Sequence, residues 1–354
     1  MLRLSEILKK YKGLLKKTPV PEEIEQEENE TALPEKPSSE SDHIPIKISP
    51  AICKSFSKIE SNEIFSLYEE ILARVKHIYL RGQEECFVPW IKELIEKILQ
   101  VLFSPNKEAL LRLSVKDYDK EEDYLYAHAL NVCIMSLEIG RSLGYEREQL
   151  LELGIAAFVH DIGIVKYLDI INKNYILGKE EMDKIKNHPN LGSQILTRFS
   201  KDLNVSIIEA VRQEHERIDG SGYPLGLKGE QISEYARIIG LLDVYEALLH
   251  KRPHRQKYTP LEAIQKILEL KETFDNKLIK VLMERMGIFP IGVAVRLNTK
   301  EIGTVIKENP QLPLRPVVEV VLDSTGKRLT QPKQIDLSQK PEVYIEECLK
   351  ECLF

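Results

Sequence analysis

No stretch of this sequence approaches the ~18 consecutive apolar residues of a membrane-spanning helix, and no signal-peptide pattern opens it. Cysteine is scarce. Cys53, Cys86, Cys133, Cys348 and Cys352 are odd in number, irregular in spacing and never form a CxxC pair. That argues against a disulfide framework and a structural zinc site, and fits a reducing, cytoplasmic compartment. A basic surplus is missing too: the formal net charge is −6, where a binder of polymeric nucleic acid would show a basic stripe. Also absent are a P-loop, a dinucleotide-binding glycine fingerprint, and a serine or cysteine nucleophile set beside a base.

What remains is a chain of 354 residues, 43% hydrophobic, enough for two or three domains with a sizeable core. Residues 1–17 place Leu4, Ile7, Leu8, Tyr11, Leu14 and Leu15 at helical spacing, with lysines opposite. An amphipathic helix is expected there, self-docked or frayed in preference to lying on an anionic membrane. Residues 18–49 are rich in Pro, Glu and Ser and read as a disordered linker. Residues 50–115 carry two amphipathic helices. One holds Phe56, Ile59, Ile64, Phe65, Tyr68, Leu72 and Val75; the other begins near Pro89. This reads as a helical regulatory segment, with His77 and Trp90 as ordinary packing residues. Residues 116–287 have helical periodicity throughout. From 288 to 354 the chain changes to short β-branched runs separated by Gly, Asn and Pro turns, a small antiparallel β module. A last short helix is expected after Pro341. The fold class is therefore mainly α, a helical core flanked by a helical segment and a β module.

Four histidines stand out: His128 in an apolar helix, His160 directly before Asp161, His188 before Pro189, and His215 before the loop DGSGYP. One such histidine is ordinarily a satisfied core residue. Four of them, with Asp161 and Asp243 in apolar surroundings and no adjacent Lys or Arg, make a different case, because buried charge requires a counter-charge or a metal. Imidazole and carboxylate suit iron, manganese or zinc. A carboxylate can bridge two ions, as Asp161 could, and a two-ion centre clamps the oxygens of an in-line displacement at phosphorus.

His160-Asp161 with Asp243 resembles the HD phosphohydrolases, and Glu216 to Pro224, with its DGSGYP loop, narrows the resemblance to the HD-GYP family. That resemblance covers roughly residues 116–287 and implies an HD-type helical bundle. It implies a phosphodiesterase that hydrolyses cyclic di-GMP to pGpG, and further to GMP, through a metal-bridging hydroxide. Carried over by position, His128, His160, Asp161, His188, Glu214, His215 and Asp243 are the ligands of two divalent cations, iron or manganese ahead of zinc. His160 and Asp161 are the catalytic pair. Arg252, Arg255, Tyr223 and Lys166 are assigned to the substrate. Glu216, Arg217 and Asp219 are expected to hold the loop by ion pairs. The partners that go with this resemblance are cyclic di-GMP, a diguanylate cyclase or other signalling protein docked on the GYP loop, and a second copy in a homodimer.

The sequence departs from the family pattern at two positions. Glu214 stands where the family has the first of two histidines; it is a competent and harder ligand. Ile164 stands where the family has a lysine, and Lys166 follows two residues on. These departures keep open a non-catalytic cyclic di-GMP sensor or docking module, and the substrate could also be another cyclic dinucleotide. The glutamate that supports a third metal in part of the family is Tyr124 here, so two cations are expected.

Overall fold

The structure, a computed structural model, describes residues 61–81, 87–115, 124–171, 175, 177–199, 201–250, 256–309 and 312–349. The terminal helix expected at 1–17, the linker at 18–49, and Phe56 and Ile59 lie outside these residues.

Two long amphipathic helices lead. Helix α1 (Ser61–Arg81) buries Ile64, Tyr68, Ile71, Val75, Ile78 and Tyr79, a stripe at three- and four-residue spacing. Helix α2 (Phe87–Leu102), with Pro89 in its first turn, buries Ile91, Leu94, Ile95 and Ile98. The rings of His77 and Trp90 lie 5.7 Å apart where the two helices meet. A short α3 (Lys107–Leu113) follows.

Helix α4 (Tyr124–Ser142) is buried from Leu125 to Gly140. A helix buried on every side belongs at the centre of the bundle, and α4 packs against α1, α5 (Arg147–Phe158) and α10 (Glu234–Leu249). Helix α5 starts from a capping arrangement in which the Glu146 backbone N–H donates to Gln149 Oε1 at 2.9 Å. A 3-10 turn (Ile162–Tyr167), α6 (Leu168–Ile171), α7 (Lys179–Ile185), α8 (His188–Thr197) and α9 (Val205–Gln213) come next, and α11 (Pro260–Glu269) and α12 (Asn276–Arg285) complete the helical body. One continuous apolar core joins α1 and α2 to the helices that follow.

Two glycines set the spacing around the centre. A Cβ on Gly163 would lie 2.1 Å from the His188 carbonyl oxygen, so the turn after His160-Asp161 rests directly on the start of α8. A Cβ on Gly240 would lie 2.1 Å from the Glu214 carbonyl oxygen, so α10 rests in the same way on the end of α9. Only glycine permits either approach.

The β module is a five-stranded antiparallel sheet in the order β4-β3-β2-β1-β5, from β1 (Ala294–Leu297), β2 (Ile302–Lys307), β3 (Val317–Leu322), β4 (Arg328–Asp336) and β5 (Ile345–Cys348). Among the described residues after Pro341 no helix forms. That segment becomes β5, paired to β1 with Val295 opposite Cys348. Val343 and Ile345 are buried while Tyr344 and Glu346 are exposed, the alternation of a strand laid over a core. The module sits against α10 and α11: Glu308 and Cys348 lie in the surroundings of buried Tyr245, and the Leu261 amide faces the Cys348 sulfur. Among the described residues no helix is long and apolar enough to cross a membrane.

Candidate metal centre

Five elements converge. Helix α4 supplies His128, the end of α5 supplies His160 and Asp161, and α8 begins with His188. The segment after α9 gives Glu214 and His215, and α10 gives Asp243. Their ligand atoms fall into two groups, Asp161-His188-Glu214-His215 and His128-His160-Asp243, each with its atoms within 4.8 Å of one another. Asp161 faces both. Its Oδ1 is 3.1 Å from His188 Nε2, while its Oδ2 is 3.7 Å from His160 Nε2 and 3.9 Å from His128 Nε2. Asp243 Oδ1 lies 3.1 Å from His128 Nε2, and its Oδ2 lies 3.7 Å from His215 Nδ1. Glu214 Oε1 is 3.3 Å from His188 Nε2 and 3.1 Å from His215 Nε2.

The imidazoles are aimed by what their other nitrogens do. His160 Nδ1 donates to the Ala157 carbonyl and His188 Nδ1 to the Ile185 carbonyl, each at 2.8 Å. A proton held on Nδ1 leaves the Nε2 lone pair facing the cluster. His128 is held differently: its Nδ1 lies 2.5 Å from Glu246 Oε2.

Electrostatics favour positive charge here. Burial works to lower the His128 pKa, yet Glu246 and Asp243 override it and raise it to about 10. His188 likewise ends well above the ordinary imidazole value, because Asp161 and Glu214 outweigh burial. Burial pushes Asp161 and Asp243 up, and the surrounding histidines pull both well below the usual carboxylate range. His215 is lowered, chiefly by burial. His160 Nε2 and Glu214 Oε2 are buried with no hydrogen-bond partner. Atoms left so cost about 1–3 kcal/mol each. A cation at each ligand group would take up both atoms and replace the protons that the carboxylates draw onto the histidines, so the residues present fit a pair of cations.

The loop is held by a scheme other than ion pairs. Glu216, buried, accepts from the backbone N–H groups of Leu225 at 2.6 Å and Leu227 at 3.0 Å. Arg217 donates to the carbonyls of Glu214 and Glu216 and lies over the Phe274 ring. Asp219 accepts from the backbone and hydroxyl of Ser221. Carboxylates paired with amides serve better than ion pairs here because a tight turn has more unsatisfied backbone donors than neighbouring side-chain charges.

Of the expected substrate residues, Tyr223 stacks on His215 with ring centroids 4.8 Å apart, so it forms a wall of the centre. Ile164 is buried in the core, and Lys166 is on the exposed side of the 3-10 turn. Arg252 and Arg255 lie outside the described residues. Sequence reading missed Lys186, whose ammonium lies 5.7 Å from the Tyr223 ring centroid, and the buried Glu246, Asn131 and His250 behind His128.

Comparison with known proteins places this architecture. An HD domain model matches residues 97–278, and a model described as a KOW domain associated with HD domain matches residues 294–352. A cyclic di-GMP phosphodiesterase of Pseudomonas aeruginosa is 32% identical over 250 residues, 70% of this chain and 59% of that protein. A cyclic di-GMP phosphodiesterase of Borreliella burgdorferi is 28% identical over 196 residues, 54% of this chain and 51% of that protein. The chain thus spans little more than half the length of these curated relatives. Among solved structures, an HDG"Y"P protein from Bdellovibrio bacteriovorus superposes with a TM-score of 0.54 at 17% identity, covering 66% of this chain and 74% of that one, a likeness of fold.

Proposed function

Since the chain belongs to the HD-GYP family of HD domains, we propose that it is a metal-dependent phosphodiesterase that cleaves cyclic di-GMP to pGpG. The observation that carries this reading is the position of Asp161, whose two carboxylate oxygens face two separate groups of ligand atoms. We assign one cation to His128, His160, Asp161 and Asp243, and a second to Asp161, His188, Glu214 and His215. Bound there, the pair would supply Lewis acidity and an activated water for in-line displacement at phosphorus.

The chain's own residues have definable tasks in this reading. His160 and His188 keep their Nδ1 protons on backbone carbonyls, and so present Nε2. Glu214, an oxygen donor where the family has histidine, makes its site harder and favours iron or manganese over zinc. Tyr223 buttresses His215 by stacking. The carboxylate-rich pocket repels a phosphate until cations are in place, so substrate binding should depend on metal. Arg252 and Arg255 are assigned to the substrate on the motif alone; guanidinium pairs phosphate oxygens bidentately. Ile164 withholds one charged contact from the phosphate, which would slow turnover relative to a lysine-bearing centre.

The test is chromatography of cyclic di-GMP and cyclic GMP-AMP incubated with anaerobically purified full chain. Formation of pGpG by the wild type, lost in Asp161→Ala, is the expected result. Metal-loaded protein that binds cyclic di-GMP without cleaving it would replace the enzyme with a sensor. Preference for the mixed dinucleotide would change the substrate and leave the chemistry.

A further inference from the structure

Helix α1 lies before the segment matched by the HD domain model, which begins at residue 97. It nevertheless sends two tyrosine hydroxyls into the layer behind the metal ligands. Tyr68 and Tyr79 are eleven residues apart, about three helical turns, and share one buried face. The Tyr68 hydroxyl donates to Asn131 Oδ1 at 2.7 Å, and Asn131 Nδ2 donates to Glu246 Oε1 at 3.0 Å. Glu246 Oε2 is the group that lies 2.5 Å from His128 Nδ1, and Glu246 Oε1 also lies 2.9 Å from His250 Nδ1. Every member of this chain is buried. The Tyr79 hydroxyl donates to the Phe158 carbonyl at 3.0 Å, and its own oxygen accepts from the Asp161 backbone N–H. It therefore ties together the two ends of the turn that carries His160 and Asp161.

Tyr68, Asn131, Glu246 and Tyr79 themselves lie outside the ligand set. In a buried polar chain each group depends on the next for its partner, so a change at one end is felt at the other. The Asn131 amide orientation is fixed by this dependence, with its oxygen toward a hydroxyl donor and its nitrogen toward a carboxylate. We infer that α1 is a working part of the metal centre. Tyr68, through Asn131 and Glu246, fixes the ring of His128, and Tyr79 fixes the His160-Asp161 turn, so that the seating of α1 sets how tightly the cations are held. Tyr68, Asn131, Glu246 and Tyr79 are positioning residues in this account, and the helical segment ahead of the matched domain is its control input. The inference rests on the two-cation reading above.

The test reads metal binding directly, without substrate. Calorimetric titration of the full chain with Mn2+ compares wild type with Tyr68→Phe, Tyr79→Phe, Glu246→Gln and the double variants Tyr68→Phe/Glu246→Gln and Tyr68→Phe/Tyr79→Phe. Groups that orient a ligand commonly carry about 10- to 100-fold in metal affinity, and Glu246→Gln is expected in that range. Tyr68→Phe should weaken Mn2+ by about threefold or more, and should add nothing once Glu246 is changed, since its effect passes through that carboxylate. Tyr79→Phe acts on another ligand pair and should add to Tyr68→Phe.

A measurement on the wild type alone covers the case in which a variant fails to fold. Coupling is reciprocal, so Mn2+ must steady α1, and amide exchange across residues 61–81 should slow when Mn2+ is added. Unchanged Mn2+ affinity in both tyrosine variants, or no added protection of α1, overturns the inference while leaving the metal centre intact. A wild type that binds no Mn2+ overturns the metal centre itself.

Discussion

Replacing Gly163 with alanine tests how the centre is assembled. The added Cβ would stand 2.1 Å from the His188 carbonyl oxygen and 2.6 Å from the Gly192 amide nitrogen. Real Cβ contacts essentially never fall under 3.0 Å, and both obstructions are backbone. The 3-10 turn and the start of α8 must therefore part by about 1 Å, and forced overpacking of that kind costs about 1–3 kcal/mol. The same movement separates the two residues that the contact brings together. Asp161 Oδ1 and His188 Nε2, 3.1 Å apart, face each other across this seam. A misplacement of ~1 Å at a reacting centre costs about 100-fold in rate. The Gly163→Ala protein should remain folded, lose about 1–3 kcal/mol in urea unfolding, retain less than one full second metal ion, and hydrolyse cyclic di-GMP about 100-fold more slowly. A variant with wild-type metal content and rate would refute the claim that this glycine sets the spacing between Asp161 and His188.

Three further outcomes are expected. Glu216→Ala removes the buried carboxylate that accepts from the amides of Leu225 and Leu227; a loss of about 2–4 kcal/mol and faster amide exchange over 219–227 are expected, and unchanged exchange would contradict the loop account. Glu308 is pushed up to about 7 from an ordinary 4.5, first by burial, with the charges of Glu108 and Glu138 adding to it. The folded chain thus holds a proton between those pH values that the unfolded chain has released, and stability falls as pH rises through the window. Glu308→Gln should therefore match wild type near pH 5 and exceed it by about 2–3 kcal/mol at pH 8 in urea unfolding, whereas a difference independent of pH would refute the assignment. Glu214→Ala should lower metal content toward one ion per chain by elemental analysis while Asp243 and His128 keep theirs; two ions retained would remove Glu214 from the ligand set.

The candidate ligands stand out in the sequence because they break local rules. His160-Asp161 closes an apolar helix, and His188 and His215 sit where helices begin and end, so the pattern stands out before any fold is known. The residues behind them were not legible. Glu246 reads as one more charge on α10, although it is buried, three residues after Asp243 and four before His250. That spacing puts all three near one face of a helix, and a carboxylate and an imidazole together on an apolar face were the signal available. Asn131, three residues after His128 on α4, carried a similar one. Tyr68 and Tyr79 offered none, since aromatic residues on a helix stripe ordinarily pack; only the path of α1 across α4 reveals their hydroxyl partners. The tail after Pro341 was misread for a related reason. Val343 and Ile345 alternate over only a few residues, and pairing with β1, remote in sequence, decides the strand.

The central claim is that two cations held by this ligand set act together on a phosphodiester. Metal-free protein titrated anaerobically with Mn2+, with bound metal and cyclic di-GMP hydrolysis read on the same samples, tests it most directly. The account predicts that activity stays low through the first ion bound per chain and rises with the second, to a plateau at about two. Full activity at one ion, or hydrolysis in the metal-free protein, would contradict it.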